Sequence, residues 1–142
     1  MLIQKEVSAG GIVFTIKDGE IFYLLLKSKY KNYWEFPKGR IQNNETIEET
    51  AIREVKEETK LKNLKKINGF KEKVEYYFTK NNTIVQKEVY LFLFQTNNIY
   101  VKTKEHETYG WFTFEYANKK LKESLRKALE KANNYILKLY IK

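Results

Sequence analysis

The sequence predicts an α/β protein in which a mixed β-sheet is packed between helices as an α/β/α sandwich. Runs of β-branched and aromatic residues alternate with segments whose apolar residues recur at helical spacing, in the order strands, helix, strands, helix. The chain has 142 residues, of which 42% are hydrophobic and 15% aromatic, which suffices for the core of one ordinary domain. We therefore expect a single domain over residues 1–142.

The N-terminal part predicts a β-hairpin followed by a loop. Residues 3–16 and Ile21–Leu26 are the two strands, and Asp18 and Gly19 lie between them. This dipeptide favours a tight type I′ turn, because both central residues of that turn need a positive φ. Residues 28–45 are polar and aromatic, and they predict a loop.

A helix is predicted from Thr46 to about Lys60. Thr46 and Glu49 fit a capping box, in which each side chain accepts a hydrogen bond from a backbone N–H at the start of the helix. An apolar stripe at helical spacing should face the core. Its members are Ile47, Ala51, Ile52, Val55 and Thr59.

The C-terminal half predicts a second hairpin, one more strand and a long helix. Residues 70–79 and 83–95 are aromatic and β-branched, with two asparagines at 81–82 as the turn. Residues 109–114 could form a further strand. Residues 118–140 carry apolar residues at helical spacing and predict one helix.

The composition excludes several kinds of site. Cysteine is absent, so disulfides, a cysteine nucleophile and Cys-ligated metals are excluded, and His106 is the one histidine. The longest apolar run is far shorter than a membrane span, and Lys5 and Glu6 interrupt the N-terminal apolar stretch. We expect a cytoplasmic protein without membrane association. The net charge of +9 suits a polyanionic partner such as a nucleotide, polyphosphate or RNA, or else a solvated lysine-rich surface.

Three glutamates of the predicted helix share one face. Glu54, Glu57 and Glu58 are spaced i, i+3 and i+4, and such like charges destabilise a helix unless a positive group offsets them. A hard divalent cation does so, because Mg²⁺ prefers oxygen ligands. Arg53 can also hold neighbouring carboxylates. The alternative is a solvated acidic face.

Residues 39–61 resemble the Nudix box, which reads glycine, five residues, Glu, seven residues, Arg-Glu, an aliphatic residue, any residue, Glu-Glu, any residue, Gly and an aliphatic residue. Lys60 stands where the family has its second glycine, at a helix end that favours positive φ, and should cost about 1 kcal/mol there. The other eight of the nine specified positions agree: Gly39, Glu45, Arg53, Glu54, Val55, Glu57, Glu58 and Leu61.

The resemblance implies a Nudix-type sandwich that hydrolyses a nucleoside diphosphate linked to another moiety. It implies Mg²⁺ or Mn²⁺ as cofactor, which polarises phosphate oxygens and lowers the pKa of a bound water. Glu54 or Glu58 would serve as general base, and Glu45 and Arg53 would brace the box. The implied metal ligands within the box are the Gly39 carbonyl, Glu54, Glu57 and Glu58.

Residues 34–39 resemble the Trp-x-x-Pro-Lys-Gly segment of diadenosine tetraphosphate hydrolases and RNA pyrophosphohydrolases. Lys38 would then meet a phosphate, or else be a surface lysine in a turn.

Tyr77 lies where tetraphosphate hydrolases carry a tyrosine, which implies stacking on a base, although a core aromatic residue is the alternative. Lys80 and Lys87 could contact the polyphosphate.

Residues 105–111 resemble the late Glu-x-x-x-x-x-Trp segment of the same two groups. Glu105 would supply another carboxylate to the metal from a loop, or else be an ordinary charged loop residue. His106 could contact phosphate or base, or be solvated. Trp111 is more typical of a core residue.

These resemblances predict asymmetric cleavage of diadenosine tetraphosphate to ATP and AMP, by a monomer or weak dimer. The alternatives are an RNA 5′ pyrophosphohydrolase, a MutT-like nucleotide-pool pyrophosphatase and a non-catalytic nucleotide sensor. Several basic residues could bind an RNA backbone or form the solvated face of a helix. They are Lys119, Lys120, Lys122, Arg126, Lys127 and Lys131.

Overall fold

The computed structural model describes residues 2–104 and 107–140. Six strands and three helices alternate along this part of the chain, and the fold is the predicted α/β/α sandwich. The elements are β1 (Leu2–Lys17), β2 (Glu20–Ser28), β3 (Lys38–Arg40), α1 (Ile47–Thr59), β4 (Lys65–Lys80), β5 (Thr83–Gln95), β6 (Glu107–Phe112), α2 (Phe114–Lys120) and α3 (Glu123–Tyr140).

The sheet is mixed, as predicted. Its strand order is β4-β5-β1-β2-β6, and the short β3 also pairs with β1. β1 and β5 run parallel, whereas every other pair is antiparallel. The parallel pair lies in the middle of the sheet, where helices cover both of its faces.

Both predicted hairpin turns are confirmed. Asp18 and Gly19 have φ values of 51° and 78°, and Asn81 and Asn82 have values of 50° and 59°. Positive φ at both central residues is the geometry of a type I′ turn, whose twist matches that of the flanking strands. The second turn fixes the register of the long β4–β5 hairpin.

The helices bury two separate apolar clusters, one on each face of the sheet. The predicted stripe of α1 packs Ala51 and Val55 against Val13 and Phe94 on one face. Helix α3 packs on the opposite face, and the alternation of side chains along each strand separates the two cores. The α3 residues that share the second core with Phe14 and Leu91 are Leu125, Ala128, Leu129, Ala132 and Ile136.

The single predicted helix over residues 118–140 is wrong, because the chain forms two helices. Leu121 is extended, with φ −88° and ψ 151°, and it separates α2 from α3. Its side chain is nevertheless buried in the core, so the apolar spacing continues through the break. No proline or glycine marks this position, and the pattern therefore did not indicate it.

Three other boundaries also differ from the prediction. The predicted loop over residues 28–45 contains β3, and β6 begins at Glu107 rather than at residue 109. β4 begins at Lys65 rather than at residue 70, with an irregular register between Lys66 and Lys71 and a positive φ of 89° at Gly69. Such a bulge interrupts the alternation on which the prediction depends.

No helix within residues 2–104 and 107–140 combines the length and apolar character needed to cross a membrane.

Candidate active site

The start of α1 is fixed by the capping box that the sequence predicts. The Thr46 Oγ1 accepts a hydrogen bond from the Glu49 N–H at 3.1 Å, and the Glu49 Oε1 accepts one from the Thr46 N–H at 2.9 Å. These bonds satisfy two backbone donors that the helix itself cannot pair. With Ala51 and Val55 facing the core, the helix presents its arginine and glutamates beside β3.

The end of α1 shows how the chain accommodates lysine in place of the glycine of the box. Lys60 adopts the left-handed conformation with φ 59° and ψ 16°, and its N–H donates to the Lys56 carbonyl at 2.8 Å. The cap therefore keeps the geometry that a glycine favours, at the steric cost of a Cβ in that region.

Glu45 and Arg53 form a bidentate ion pair beneath this helix face. The guanidinium places Nε 2.6 Å from the Glu45 Oε2 and Nη2 2.9 Å from its Oε1. Thr50 Oγ1 and the Gln42 N–H also donate to that carboxylate. The hydrogen bonds from Arg53 are the main reason that the pKa of Glu45 falls to about 2.

Arg53 also contacts two of the three α1 glutamates that the resemblance implies as metal ligands. Its Nη1 lies 2.7 Å from the Glu54 Oε1 and 3.2 Å from the Glu57 Oε2, and its Nη2 donates to the Arg40 carbonyl at 3.1 Å. Within the described ranges, no three carboxylates converge into a group ready to hold a metal. The guanidinium offsets the repulsion between the glutamates in this arrangement.

Gly39 lies directly against the Glu54 carboxylate. A Cβ at this position would overlap that carboxyl group, so the close approach requires a glycine. Glu54 is buried. Alternation along β3 turns Gly39 toward α1, whereas Lys38 and Arg40 project to the other side of the strand.

Glu107 is a further carboxylate at this site that the sequence analysis did not identify. Burial raises the pKa of Glu58 to about 8, and the negative charges of Glu107 and Glu54 raise it further. Burial also raises the pKa of Glu107, whose Oε2 is buried without a hydrogen-bond partner among the residues described. The predicted carboxylate Glu105, together with His106, lies outside the described residues.

These donors fit a hard divalent cation in their chemistry. Carboxylate and carbonyl oxygens are the ligands that Mg²⁺ and Mn²⁺ prefer, and the unpartnered Glu107 oxygen is available for such a role. Glu54 and Glu57 would have to exchange their contacts with Arg53 for contacts with the metal. When bound, the metal would supply polarised phosphate oxygens and a water of lowered pKa.

A cleft of about 430 Å³ lies on the α3 side of β3. It continues into a smaller, mostly apolar pocket of about 170 Å³. Lys38 lines both, and its charge also acts on the Glu58 carboxyl group, so it connects the cleft with the carboxylates of α1. The residues that line the two cavities in common are Tyr33, Lys38, Tyr76 and Lys122.

Of the two lysines predicted to contact the polyphosphate from β4 and β5, one lines the cleft and the other lies at the hairpin tip. Lys87 lines the cleft, is buried, and donates to the Ser8 Oγ at 2.7 Å. Burial lowers the pKa of Lys87, and the nearby charge of Lys38 lowers it further. Lys80 instead lies at the tip of the β4–β5 hairpin, opposite Thr83.

Tyr76 lines the cleft next to Tyr77, the tyrosine for which the sequence analysis expected a stacking role. Tyr76 packs against the core on the α3 side and lines both cavities. Tyr77 projects from the opposite face, is 61% exposed, and reaches only the larger cavity. A stacking role for Tyr77 would require a base on the rim of the cleft. Tyr33 and Lys122 also line both cavities, and the sequence analysis did not connect either of them with this site.

Trp111 belongs to the core, as expected. It packs against the cluster beneath α1, and its Nε1 donates to the Ile99 carbonyl at 3.0 Å.

The α/β/α sandwich and the carboxylates of α1 define an α/β protein with oxygen ligands whose chemistry suits a divalent cation. The family model described as NUDIX domain matches residues 5–132. The chain therefore belongs to the Nudix family and is a Nudix hydrolase of nucleoside polyphosphates. Nudix hydrolases generally need a divalent metal.

Two of the curated relatives carry different activities in their names. An RNA pyrophosphohydrolase of Pelagibacter ubique is 33% identical over 112 residues, which cover 71% of this chain and 71% of that protein. The mouse bis(5′-nucleosyl)-tetraphosphatase [asymmetrical] is 32% identical over 100 residues, which cover 68% of this chain and 66% of that protein. The chain thus resembles both groups at similar identity.

A solved structure shares the fold over almost the whole chain. The Ap4A hydrolase of C. elegans, in a binary complex, matches with a TM-score of 0.76 at 24% identity. The match covers 92% of this chain and 97% of that one.

Proposed function

We propose that this chain hydrolyses dinucleoside polyphosphates with Mg²⁺ or Mn²⁺, cleaving diadenosine tetraphosphate asymmetrically to ATP and AMP. One observation carries the proposal. The carboxylates of α1 adjoin, through Lys38 and Gly39, a cleft lined by four lysines and three tyrosines. Lysines suit a polyphosphate and aromatic rings suit a base, so the cleft matches the two chemical parts of such a substrate.

In this proposal the cleft holds the substrate and the helix supplies the base. Lys38 and Lys87 contact the phosphates, which brings the reacting phosphorus beside α1. Glu58 takes the proton of the attacking water, because the described contacts of Arg53 engage Glu54 and Glu57 and leave the Glu58 carboxyl group available. A divalent cation bound beside Glu58 would favour its charged form, in which it can accept that proton. The water oxygen forms a bond to phosphorus, and the bond to the bridging oxygen breaks, releasing AMP and ATP.

The role proposed for Glu45 and Arg53 is to hold this helix face in place. Their bidentate contact is largely shielded from solvent, and Arg53 also spans to Glu54 and Glu57. A planar guanidinium can make these contacts at once, whereas a lysine could not. The pair thus supports the arrangement of the ligands rather than the chemical step.

Removal of pyrophosphate from RNA 5′ ends is the second candidate, and the relative from Pelagibacter ubique favours it. The C-terminal basic residues support it less well, because two of them have local partners. Lys131 lies 2.8 Å from a Glu72 oxygen, and Arg126 donates to the Leu121 carbonyl at 2.8 Å. These partners leave fewer free positive charges for binding the phosphates of an RNA backbone.

A direct comparison of turnover tests the proposal. The protein is given diadenosine tetraphosphate or a 5′-triphosphorylated RNA oligomer in Mg²⁺, with Glu58→Gln as the matched control. We expect a higher kcat/KM for the dinucleotide and little activity in the control. Faster release of pyrophosphate from RNA would favour the second candidate. If neither substrate is turned over and the wild type behaves like the control, both candidates are wrong. A nucleotide-pool pyrophosphatase or a nucleotide sensor would then remain as the alternatives.

Cytoplasmic location, a monomeric or weakly dimeric state and the choice between Mg²⁺ and Mn²⁺ stay predictions.

A further inference from the structure

Lys122 makes a short contact across the cleft. Its ammonium nitrogen lies 3.7 Å from the centroid of the Tyr33 ring. Tyr33 belongs to the segment between β2 and β3, whereas Lys122 lies between α2 and α3. The contact is a cation–π interaction that joins two walls of the substrate cleft.

Lys122 differs from the other cleft lysines in lacking a carboxylate partner among the residues described, whereas each of the others has one. Lys31 and Lys38 lie 3.5 Å and 3.3 Å from Glu35 oxygens, and Lys87 lies 3.5 Å from a Glu6 oxygen. Over residues 2–104 and 107–140, Lys122 forms no ion pair with a carboxylate. A neutral tyrosine ring attracts the ammonium group and leaves its net positive charge available to an anion.

The backbone at Lys122 is held in place. Its carbonyl accepts hydrogen bonds from the Leu125 and Arg126 N–H groups at 3.0 Å and 3.1 Å, which begins helix α3. The preceding residue, Leu121, is anchored in the core, and its carbonyl accepts from the Arg126 Nε. The side chain therefore projects from a fixed point, and Tyr33 directs its end over the cleft.

We infer that Lys122 determines specificity by binding a phosphate of the substrate other than the one attacked, and that Tyr33 positions its ammonium group. The inference rests on the proposed function for the identity of the substrate. Lys38 adjoins the carboxylates of α1, and Lys122 lines the same cleft from the segment between α2 and α3. The two lysines thus suit a chain of several phosphates rather than a single phosphate.

Binding of inorganic tripolyphosphate tests the inference without any turnover. Calorimetry at low salt compares wild type with Lys122→Ala, and Lys127→Ala is the matched control from the same segment outside the cleft. We expect the Kd to rise about tenfold for Lys122→Ala and to change less than about twofold for the control. Equal affinities for wild type and Lys122→Ala, or an equal loss in both variants, would overturn the inference.

Two substitutions of Tyr33 test its positioning role. Tyr33→Phe keeps the aromatic face, so the tripolyphosphate Kd should stay within about twofold of wild type. Tyr33→Leu removes that face, so the Kd should rise about threefold or more. Tyr116→Leu is the control, because Tyr116 also lies beneath a lysine, Lys119, but outside the cleft. Equal effects of the Phe and Leu variants would contradict the positioning role.

Kinetics then separate this inference from the proposed function. With diadenosine tetraphosphate, Lys122→Ala should raise KM about tenfold and leave kcat within about twofold, because Lys122 does not touch the reacting phosphate. An unchanged KM alongside normal turnover overturns the inference alone. Absence of wild-type turnover contradicts the proposed function, while the tripolyphosphate measurement still decides the role of Lys122.

Discussion

Tyr76 and Lys87 lie directly opposite each other on the β4–β5 hairpin, and both line the cleft. Cross-strand neighbours share one face of a sheet, so an aromatic ring and a cation stand side by side on the cleft floor. The Lys87 ammonium donates to Ser8 on the adjacent strand, which fixes its position. A base and the phosphate attached to it could contact this pair together.

The first prediction distinguishes the two neighbouring tyrosines. Tyr76→Leu should raise the KM for diadenosine tetraphosphate about tenfold, because stacking on a base contributes about 1–3 kcal/mol. Tyr77→Leu is the matched control and should change KM less than about twofold, because that ring projects from the other face. Steady-state kinetics of both variants check this. A larger effect of Tyr77→Leu would restore the role that the sequence alone predicted for it.

The second prediction concerns the carboxylate that the sequence analysis did not identify. Glu107→Gln should lower kcat/KM about a hundredfold, because the site loses a buried negative group beside Glu58. The near-isosteric amide should leave the thermal midpoint unchanged or higher, because it removes repulsion. Activity and thermal unfolding are measured on the same preparations. Wild-type activity in Glu107→Gln, with a large loss in Glu105→Gln, would return the role to Glu105.

The third prediction is a pH dependence of stability in the metal-free protein. Folding raises the pKa of Glu58 to about 8 from the ordinary glutamate value of 4.5. Between pH 4.5 and pH 8, therefore, Glu58 keeps its proton in the folded protein and loses it in the unfolded chain. The contribution of Glu58 to the free energy of unfolding is therefore present below about pH 4.5 and lost as the pH rises toward 8. Glutamine does not titrate, so the stability of Glu58→Gln should not show this fall with rising pH.

The measurement is the thermal midpoint of both proteins in EDTA at pH 5 and at pH 8.5. The advantage of Glu58→Gln over wild type should be larger at pH 8.5. Added Mg²⁺ should raise the wild-type midpoint more than that of the variant, because the charged carboxylate then gains a partner. A pH-independent difference, with no response to Mg²⁺, would contradict this account of Glu58.

The fourth prediction concerns the end of α1. Lys60→Gly should raise the free energy of unfolding by about 1 kcal/mol, because glycine adopts the left-handed conformation without a Cβ penalty. Urea unfolding measures the change. Lys62→Gly is the control, because Lys62 is not among the residues with positive φ, and it should give no gain. Destabilisation by Lys60→Gly would mean that the lysine side chain itself supports this helix end.

The sequence predicted elements wherever local chemistry decides the structure. The type I′ turns, the capping box of α1 and the two helical stripes each depend on residues close together in the chain. The break at Leu121 was not predictable in this way, because a buried leucine continues the apolar spacing across it. The three residues of β3 are too few to show a pattern, and they are a strand only because β1 lies beside them.

The residues of the site were likewise predictable only where sequence spacing decides their placement. The spacing within the Nudix box placed Arg53 and Glu54 on one helix and Glu45 just before it, and the structure brings Arg53 into contact with both carboxylates. Tyr76 could have been found from the sequence, because a two-residue turn at 81–82 sets Lys87 opposite Tyr76 and not opposite Tyr77. Lys122 could not, because only the packing of α2 and α3 against the sheet brings it over Tyr33.

The most direct measurement of the central claim is the identity of the products formed from diadenosine tetraphosphate. Chromatography of the reaction in Mg²⁺ should give ATP and AMP in equal amounts, with neither formed in EDTA or by Glu58→Gln. This result would agree with attack on the polyphosphate beside the α1 carboxylates while the cleft lysines hold the rest. Formation of two ADP molecules, or undiminished turnover in EDTA, would contradict the account.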